Sequence, residues 1–334
     1  PLADDGFNNG LAYSLVDLTL NSGDGDIVTS EKNIQLQTYD PNDQSQAAYK
    51  CSEKITAVEH DDGQSYWVVT HFINKFYAFR VDASGVNPIP VTTTTTPSIS
   101  QQGYRRNGIG YMKASPDGSK IAVCHRQNGN TEGQNSNNTG SVWLYDFDNQ
   151  TGIISNPLNV YPNSGPYGVE FSAEATKLYV TSDDSVIQFD LEAPNPAATI
   201  TTVHSGFDFI GALQLGPDGK IYAANTGNQN ALDVINTPEE LGVLCGYTNA
   251  VMALAPGTSA IIGLPPFIQS FFLASIVVEN NCFSESTRFN VSTSQAFDQI
   301  LWNFGDGLPT GTSSAINPSY NYANPGTYNV TAEI

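Results

Sequence analysis

Short runs of apolar and aromatic residues, each interrupted by a tight turn, recur along most of the chain. Residues 55–69, 110–123, 167–180 and 211–224 each hold two such runs around a turn such as Asp-Asp-Gly, Pro-Asp-Gly or Glu-Ala-Thr. Two short runs of β-forming residues joined by a turn of this kind predict a β-hairpin. We therefore expect four similar hairpins.

A third apolar run follows each hairpin, at residues 76–81, 142–147, 186–191 and 232–235, and a polar loop with a short fourth run completes the unit. Four-stranded units that repeat every 45 to 55 residues or so are typical of a β-propeller. A partial unit opens the chain, with one expected strand over residues 11–20 and another over 34–36. Because propellers of this kind usually close with about six to eight blades, we predict an all-β chain carrying part of a seven-bladed propeller over residues 1–274, with its N-terminal blades incomplete.

The last sixty or so residues follow a different β pattern. Trp302 and Phe304 alternate towards one face, and the turn from Gly305 to Gly307 requires positive φ. A Tyr-Asn-Tyr run over 320–322, a Pro-Gly turn at 325–326 and an alternating strand complete a small immunoglobulin-like β-sandwich. The prolines and aromatics of residues 261–271 suit a packed junction before it.

These motifs resemble the PKD domain family, whose pattern runs Trp-Asp-Phe-Gly-Asp-Gly, then Asn-Pro, then Tyr-x-x-Pro-Gly-x-Tyr-x-Val. Asn303 stands where the family usually has Asp, which removes a charge beside the turn and the basis for transferring an ion-binding role. We assign residues 275–334 to this domain and expect it to be incomplete at its C-terminal end. Since the chain starts at Pro1, it reads as a piece of a longer polypeptide.

Acidic residues outnumber basic ones by 33 to 13, which gives a formal net charge of −20. Such a charge disfavours nucleic acid as a partner and suits a solvent-exposed protein. No apolar run reaches the roughly twenty residues that span a bilayer, so no membrane-spanning segment is expected.

The four cysteines, Cys51, Cys124, Cys245 and Cys282, lie far apart and have no metal-ligand spacing. Cys124 lies in an apolar run and is expected to be a free core thiol. A disulfide in an oxidising compartment is the alternative, with three connectivities open.

His71 and His125 each follow the second strand of a hairpin and indicate a candidate ligand site. Equivalent loops gather at one end of a propeller, where ligands commonly bind. The predicted mouth residues are His71, Tyr104, Arg105, Arg106, His125 and Arg126. Ordinary hydrogen-bonded loop histidines are the competing interpretation.

Two acidic turns offer oxygen ligands close together. Asp24 and Asp26, and Asp61 and Asp62, are candidates for a calcium site, but neither turn continues into the twelve-residue EF-hand pattern. Asp-Gly is also a common hairpin turn. We therefore expect structural turns and no cofactor, with a structural calcium ion as the alternative.

The combination of a propeller, a closing Gly-Leu-Pro-Pro-Phe-Ile-Gln-Ser-Phe segment at 263–271 and a PKD domain resembles large secreted proteins of gliding Bacteroidetes. The resemblance implies export by the type IX secretion system and an extracellular or outer cell-surface location. It also implies that the partners are the secretion machinery, other surface proteins or glycans. Asp184-Ser185-Val186 resembles the O-glycosylation motif of such proteins, which makes Ser185 a modification candidate.

Two functions of different classes follow from these observations. The first is a non-enzymatic binding or adhesion module, because no HExxH, GxSxG or ordered Ser/His/Asp set is present. The second is a propeller enzyme of lactonase-like or lyase-like type, since the Ser-Pro-Asp-Gly-Ser-Lys phrase at 115–120 is similar to such enzymes. The lack of inward-facing acids repeated across the blades favours the binding module.

Overall fold

The computed structural model describes residues 10–39, 42, 51–100, 105–129, 139–268, 274–280, 282–293 and 297–334. The chain folds into two compact units, Pro1–Gln269 and Ser270–Ile334. Within the described residues, regular structure consists of β-strands and a few 3-10 helices of three or four residues. The predicted all-β fold, a propeller followed by a PKD sandwich, is confirmed.

Two short ladders open the first unit. β1 (Leu11–Tyr13) pairs with β4 (Ile34–Leu36), and between them β2 (Val16–Asp17) pairs with β3 (Asp26–Ile27). The single strand expected over residues 11–20 is therefore broken after Tyr13. Leu18 and Leu20 are 74% and 40% exposed, so the second half of this run has no buried face to hold it in one sheet.

The first blade follows at residues 55–94. Its strands are β5 (Ile55–Glu59), β6 (Tyr66–Phe72), β7 (Lys75–Asp82), β8 (Gly85–Val86) and β9 (Val91–Thr94). β5, β6 and β7 pair in chain order, and β9 pairs with β7 as the fourth strand of the blade. β1 and β4 cover this blade, because Leu11 and Tyr13 pack against a core cluster that contains Leu36 together with Tyr77 and Phe79 of the blade.

Three further blades each pair four antiparallel strands in chain order. The second contains β10 (Met112–Ala114), β11 (Lys120–His125), β12 (Gly140–Asp148) and β13 (Ile153–Ser164). The third contains β14 (Pro166–Phe171), β15 (Lys177–Ser182), β16 (Ser185–Asp190) and β17 (Thr201–Ser205). The fourth contains β18 (Ile210–Leu215), β19 (Ile221–Asn225), β20 (Ala231–Ile235) and β21 (Tyr247–Ala253).

Alternating side chains of the strands hold successive blades together. On β11, Ile121 and Val123 belong to the core shared with the first blade, whereas Ala122 and Cys124 belong to the core shared with the third. All four side chains are fully buried. Because neighbouring residues of a strand point to opposite faces, a wholly apolar strand fills two cores at once.

The second unit is a small sandwich. One sheet pairs β22 (Ala274–Glu279), β23 (Thr287–Thr293) and β26 (Ser319–Tyr320); the other pairs β24 (Leu301–Asn303), β25 (Thr312–Ser313) and β27 (Thr331–Glu333). Trp302 and Phe304 are buried at 0% and 1% exposure, as the alternation predicted. Gly305 and Gly307 have φ values of 75° and 72°, so the positive-φ turn is also confirmed.

Candidate binding site at the propeller mouth

The innermost strands β5, β10, β14 and β18 all begin at the same end of the blades, because each blade repeats the same antiparallel order. The second strand of each blade ends there too. We call this end the mouth. Its side chains therefore come from the residues just before each inner strand and just after each second strand.

His71 and His125 lie at this end, and the structure brings them together. Their rings pack edge to face with centroids 5.0 Å apart. They are only 2% and 0% exposed, so they lie behind the mouth and not on its surface. Burial, with a smaller contribution from the charge of Lys54, lowers the pKa of His71 to about 3 and lowers that of His125 well below its ordinary value. Both imidazoles are neutral at physiological pH.

Of the residues predicted to line the mouth, Arg126 reaches its surface, and its side chain is 20% exposed. Its guanidinium pairs with Asp183 at 2.7 Å, donates to the carbonyl of Gly165 and lies over the ring of Phe209, 5.2 Å from the centroid. Arg106, in the 3-10 helix Arg105–Asn107, is half-buried. Tyr104 and the side chain of Arg105 lie outside the described residues.

A row of aromatic rings crosses the mouth and was missed by the sequence analysis. Tyr111, Tyr167 and Phe209 come from the start of the second, third and fourth inner strands, with centroids 5.5 Å and 5.6 Å apart in sequence order. All three residues are half-buried. The recurrence of an aromatic residue at the start of three of the four inner apolar runs is the signal that could have revealed them.

Glu53, also missed, precedes the inner strand of the first blade. One of its carboxylate oxygens accepts a hydrogen bond from the Gly110 amide at 2.7 Å. Burial raises the pKa of Glu53, and its negative charge adds to the effect of burial in raising the pKa values of Tyr111 and Tyr167. Glu53, Tyr111, Tyr167, Phe209 and Arg126 therefore form one site, which we call the mouth cluster.

The segment after the fourth blade packs beside this site. The Ile262 carbonyl accepts from the Ala212 amide at 2.7 Å. The Tyr111 hydroxyl donates to the Leu264 carbonyl and accepts from the Leu264 amide, both at 3.2 Å. These bonds fix the Tyr111 ring and attach residues 262–264 to the inner strands of the second and fourth blades.

Two of the candidate calcium ligands, Asp26 and Asp62, use their carboxylates within the protein. Asp62 accepts from the amides of Gln64 and Ser65 and pairs with Arg80 at 2.7 Å. Asp26 accepts from the Ile27 amide at 2.7 Å. Across the described part of the chain, no three His, Cys, Asp or Glu side chains are grouped so that they could hold a metal ion.

The remaining candidate, Ser185, begins β16 directly after the Asp183–Asp184 turn and is half-buried. Its hydroxyl donates to the Asp184 carboxylate at 3.0 Å. Asp183 has a φ of 53° and also pairs with Arg126, so this turn borders the mouth cluster.

Residues 274–334 match the family model of the PKD domain, a module typical of extracellular proteins. No curated protein matches the chain. Among the described residues, none of the helices has the length and apolar character that a membrane-spanning helix requires.

Solved structures resemble the chain at low sequence identity. One is a protein from Bacteroides uniformis proposed to be a 6-phosphogluconolactonase, with 14% identity and a TM-score of 0.44 over 76% of this chain; the match spans 66% of that protein's length. Another is TolB from Acinetobacter baumannii, with 13% identity and a TM-score of 0.37 over 68% of this chain and 49% of that one. The likeness concerns the fold alone. The chain is a β-propeller unit followed by a PKD domain.

Proposed function

We propose that this chain is an extracellular binding module of a large secreted bacterial protein, exported by the type IX secretion system. We further propose that its propeller mouth holds a saccharide chain without chemical turnover. The observation that carries this proposal is the half-buried row of Tyr111, Tyr167 and Phe209 with Arg126 and Glu53 beside it.

The mouth cluster combines the two kinds of surface that a sugar presents. The C–H face of a pyranose ring is apolar and packs on aromatic rings, whereas its hydroxyls need planar polar groups to accept and donate hydrogen bonds. Arg126 supplies N–H donors at one end of the row, and Asp183 beside it is 62% exposed. Glu53 supplies a half-buried carboxylate near the other end.

The competing proposal is a lactonase-like or lyase-like enzyme, which would need a carboxylate available to substrate. Glu170, on the third inner strand, is engaged by Lys113 at 2.8 Å and by the amides of Phe171 and Leu215 at 3.0 Å. The engagement of Glu170 favours binding over turnover.

The test is a saccharide array probed with the intact secreted protein, followed by calorimetry on the best soluble oligosaccharide. Phe209→Ala and Tyr167→Ala should weaken binding about tenfold each, because each removes one stacking surface. Phe207→Ala is the matched control, since Phe207 is fully exposed two residues away and lies outside the row. Equal loss in the control, or unchanged affinity in Phe209→Ala, would contradict the assignment of the site. Release of product from an oligosaccharide or lactone would establish the enzyme instead.

A further inference from the structure

Lys54 lies in an unusual position for a lysine, fully inside the protein behind the mouth. It is 1% exposed, and its ammonium Nζ lies 3.0 Å from the Ile109 carbonyl, 3.1 Å from the Gly108 carbonyl and 3.5 Å from the Asn107 carbonyl. Among the described residues it forms no ion pair with a carboxylate within 4.0 Å. A buried cation held by backbone carbonyls alone is costly, so it needs a structural reason.

Glu53 and Lys54, adjacent in sequence, both bind the backbone of residues 107–110. Lys54 donates hydrogen bonds to the carbonyls of residues 107–109, and the Glu53 carboxylate accepts one from the amide of Gly110. The backbone amide of Glu53 also donates to the Gly108 carbonyl at 3.2 Å. We call residues 107–110, which these hydrogen bonds hold, the clamped segment.

The clamped segment leads directly to the mouth cluster. The Ile109 carbonyl, which Lys54 binds, also accepts from the Arg126 amide at 3.2 Å. The next residue after the segment, Tyr111, donates its amide to the Tyr167 carbonyl at 2.8 Å. The positions of Arg126, Tyr111 and Tyr167 therefore depend on where this segment lies.

We propose that Lys54 is a positioning residue for the mouth, whose ammonium holds the clamped segment in place and so sets the arrangement of Tyr111, Tyr167 and Arg126. The ammonium form has three N–H donors for three carbonyls, whereas the neutral amine has two. Loss of the proton therefore loosens the clamp and makes the mouth sensitive to pH. The consequence for ligand affinity rests on the proposed function, but the clamp itself does not.

The pH range follows from the surroundings of Lys54. Burial lowers its pKa to about 8, against a smaller opposing effect of Glu53. Among the described residues, the other ionisable groups that face it are Cys124 and the neutral His71 and His125. Since the pKa lies below the ordinary 10.5, the buried charge destabilises the folded state below pH 8, and this effect disappears between pH 8 and 10.5. We therefore expect the clamp to loosen between pH 8 and 10.5. Over the same range, the loss of the buried charge of Lys54 raises the free energy of unfolding of the whole protein.

Amide hydrogen exchange on the intact chain tests the proposal without any ligand. Between pH 7 and pH 9.5, the protection factors of the Tyr111 and Arg126 amides should fall about fivefold relative to those of β15, the factor expected for loss of one ordinary hydrogen bond. In Lys54→Met they should be low already at pH 7 and independent of pH. Lys75→Met, which changes a half-buried lysine of β7, should behave as the wild type.

Equal protection of these amides in Lys54→Met and the wild type at pH 7 would overturn the proposal. So would a wild-type profile that does not change up to pH 9.5, which decides the matter alone if Lys54→Met does not fold. A chain that binds no saccharide but shows the expected exchange would refute the proposed function and leave the role of Lys54 intact.

Discussion

Lys113 and Glu170 form a buried ion pair that joins the innermost strands of the second and third blades. Their Nζ and Oε2 atoms lie 2.8 Å apart, and the two side chains are 3% and 0% exposed. Lys113 also donates to the Gln214 side chain of the fourth inner strand at 2.6 Å. One lysine therefore connects three consecutive blades near the axis.

Removing one partner of this pair should strongly destabilise the propeller unit. Lys113→Met leaves the Glu170 charge buried without its partner, and we expect the free energy of unfolding to fall by about 3–5 kcal/mol. Urea denaturation at pH 7 measures it. Lys120→Met is the matched control, because its ion pair with Asp146 is 35% and 46% exposed and should contribute only about 0–1 kcal/mol. Similar losses in the two variants would contradict this account.

Acid should destabilise the propeller unit through the buried histidines. The pKa of His71 in the folded protein, about 3, lies below the ordinary 6.5, so its contribution to stability is complete above pH 6.5 and is lost as the pH falls towards 3. At pH 4.5 the loss for this residue is about 3 kcal/mol.

Neither ring nitrogen of His125 has a hydrogen-bond partner among the described residues. His125→Phe should therefore reduce the acid-induced loss in unfolding experiments at pH 7 and 4.5. An unchanged pH dependence in this variant would contradict the contribution of His125.

Gly305→Ala should destabilise the PKD unit by more than about 2 kcal/mol. A Cβ at this positive-φ position would clash with the Asn329 carbonyl, in addition to the backbone strain. Gly307→Ala is the matched control, because Gly307 has a similar φ but no atom within 4 Å of the Cβ position, so strain alone should cost about 1–2 kcal/mol. Calorimetry should show the shift in the transition of this unit. Equal effects of the two substitutions would exclude the clash as the cause.

Thiol labelling should distinguish one cysteine from the other three. Cys51, Cys124 and Cys245 are fully buried, and Cys282 is exposed. Burial also raises the pKa values of the Cys124 and Cys245 thiols, which keeps them protonated and unreactive. An alkylating reagent at pH 7.5 should therefore modify Cys282 alone in the native protein and all four cysteines in denaturant. Rapid native labelling of Cys124 would contradict the packing between the second and third blades.

The fold could be predicted from the sequence because its signals are local. Alternation of apolar residues, Asp-Gly turns and the 45- to 55-residue repeat each act within a few residues or one blade, so they specified the hairpins of all four blades. The same holds for Trp302 and Phe304 and for the two positive-φ glycines of the PKD unit. The predicted strand over residues 11–20 differed from the structure because whether Leu18 and Leu20 are buried depends on what lies opposite them.

The candidate site depends on contacts between blades, which no local pattern specifies. The sequence placed His71, His125 and Arg126 at one end of the propeller, but only packing decided that the two imidazoles are buried and that the guanidinium reaches Asp183 and Phe209. The row of Tyr111, Tyr167 and Phe209 brings together residues more than forty positions apart in sequence. Lys54 binds the carbonyls of residues 107–109, which lie more than fifty positions along the chain. The sequence by itself determined the blades and the sandwich, since strand patterning is a short-range property. Only the tertiary structure decided which side chains share the mouth, because burial and charge there depend on how neighbouring blades pack.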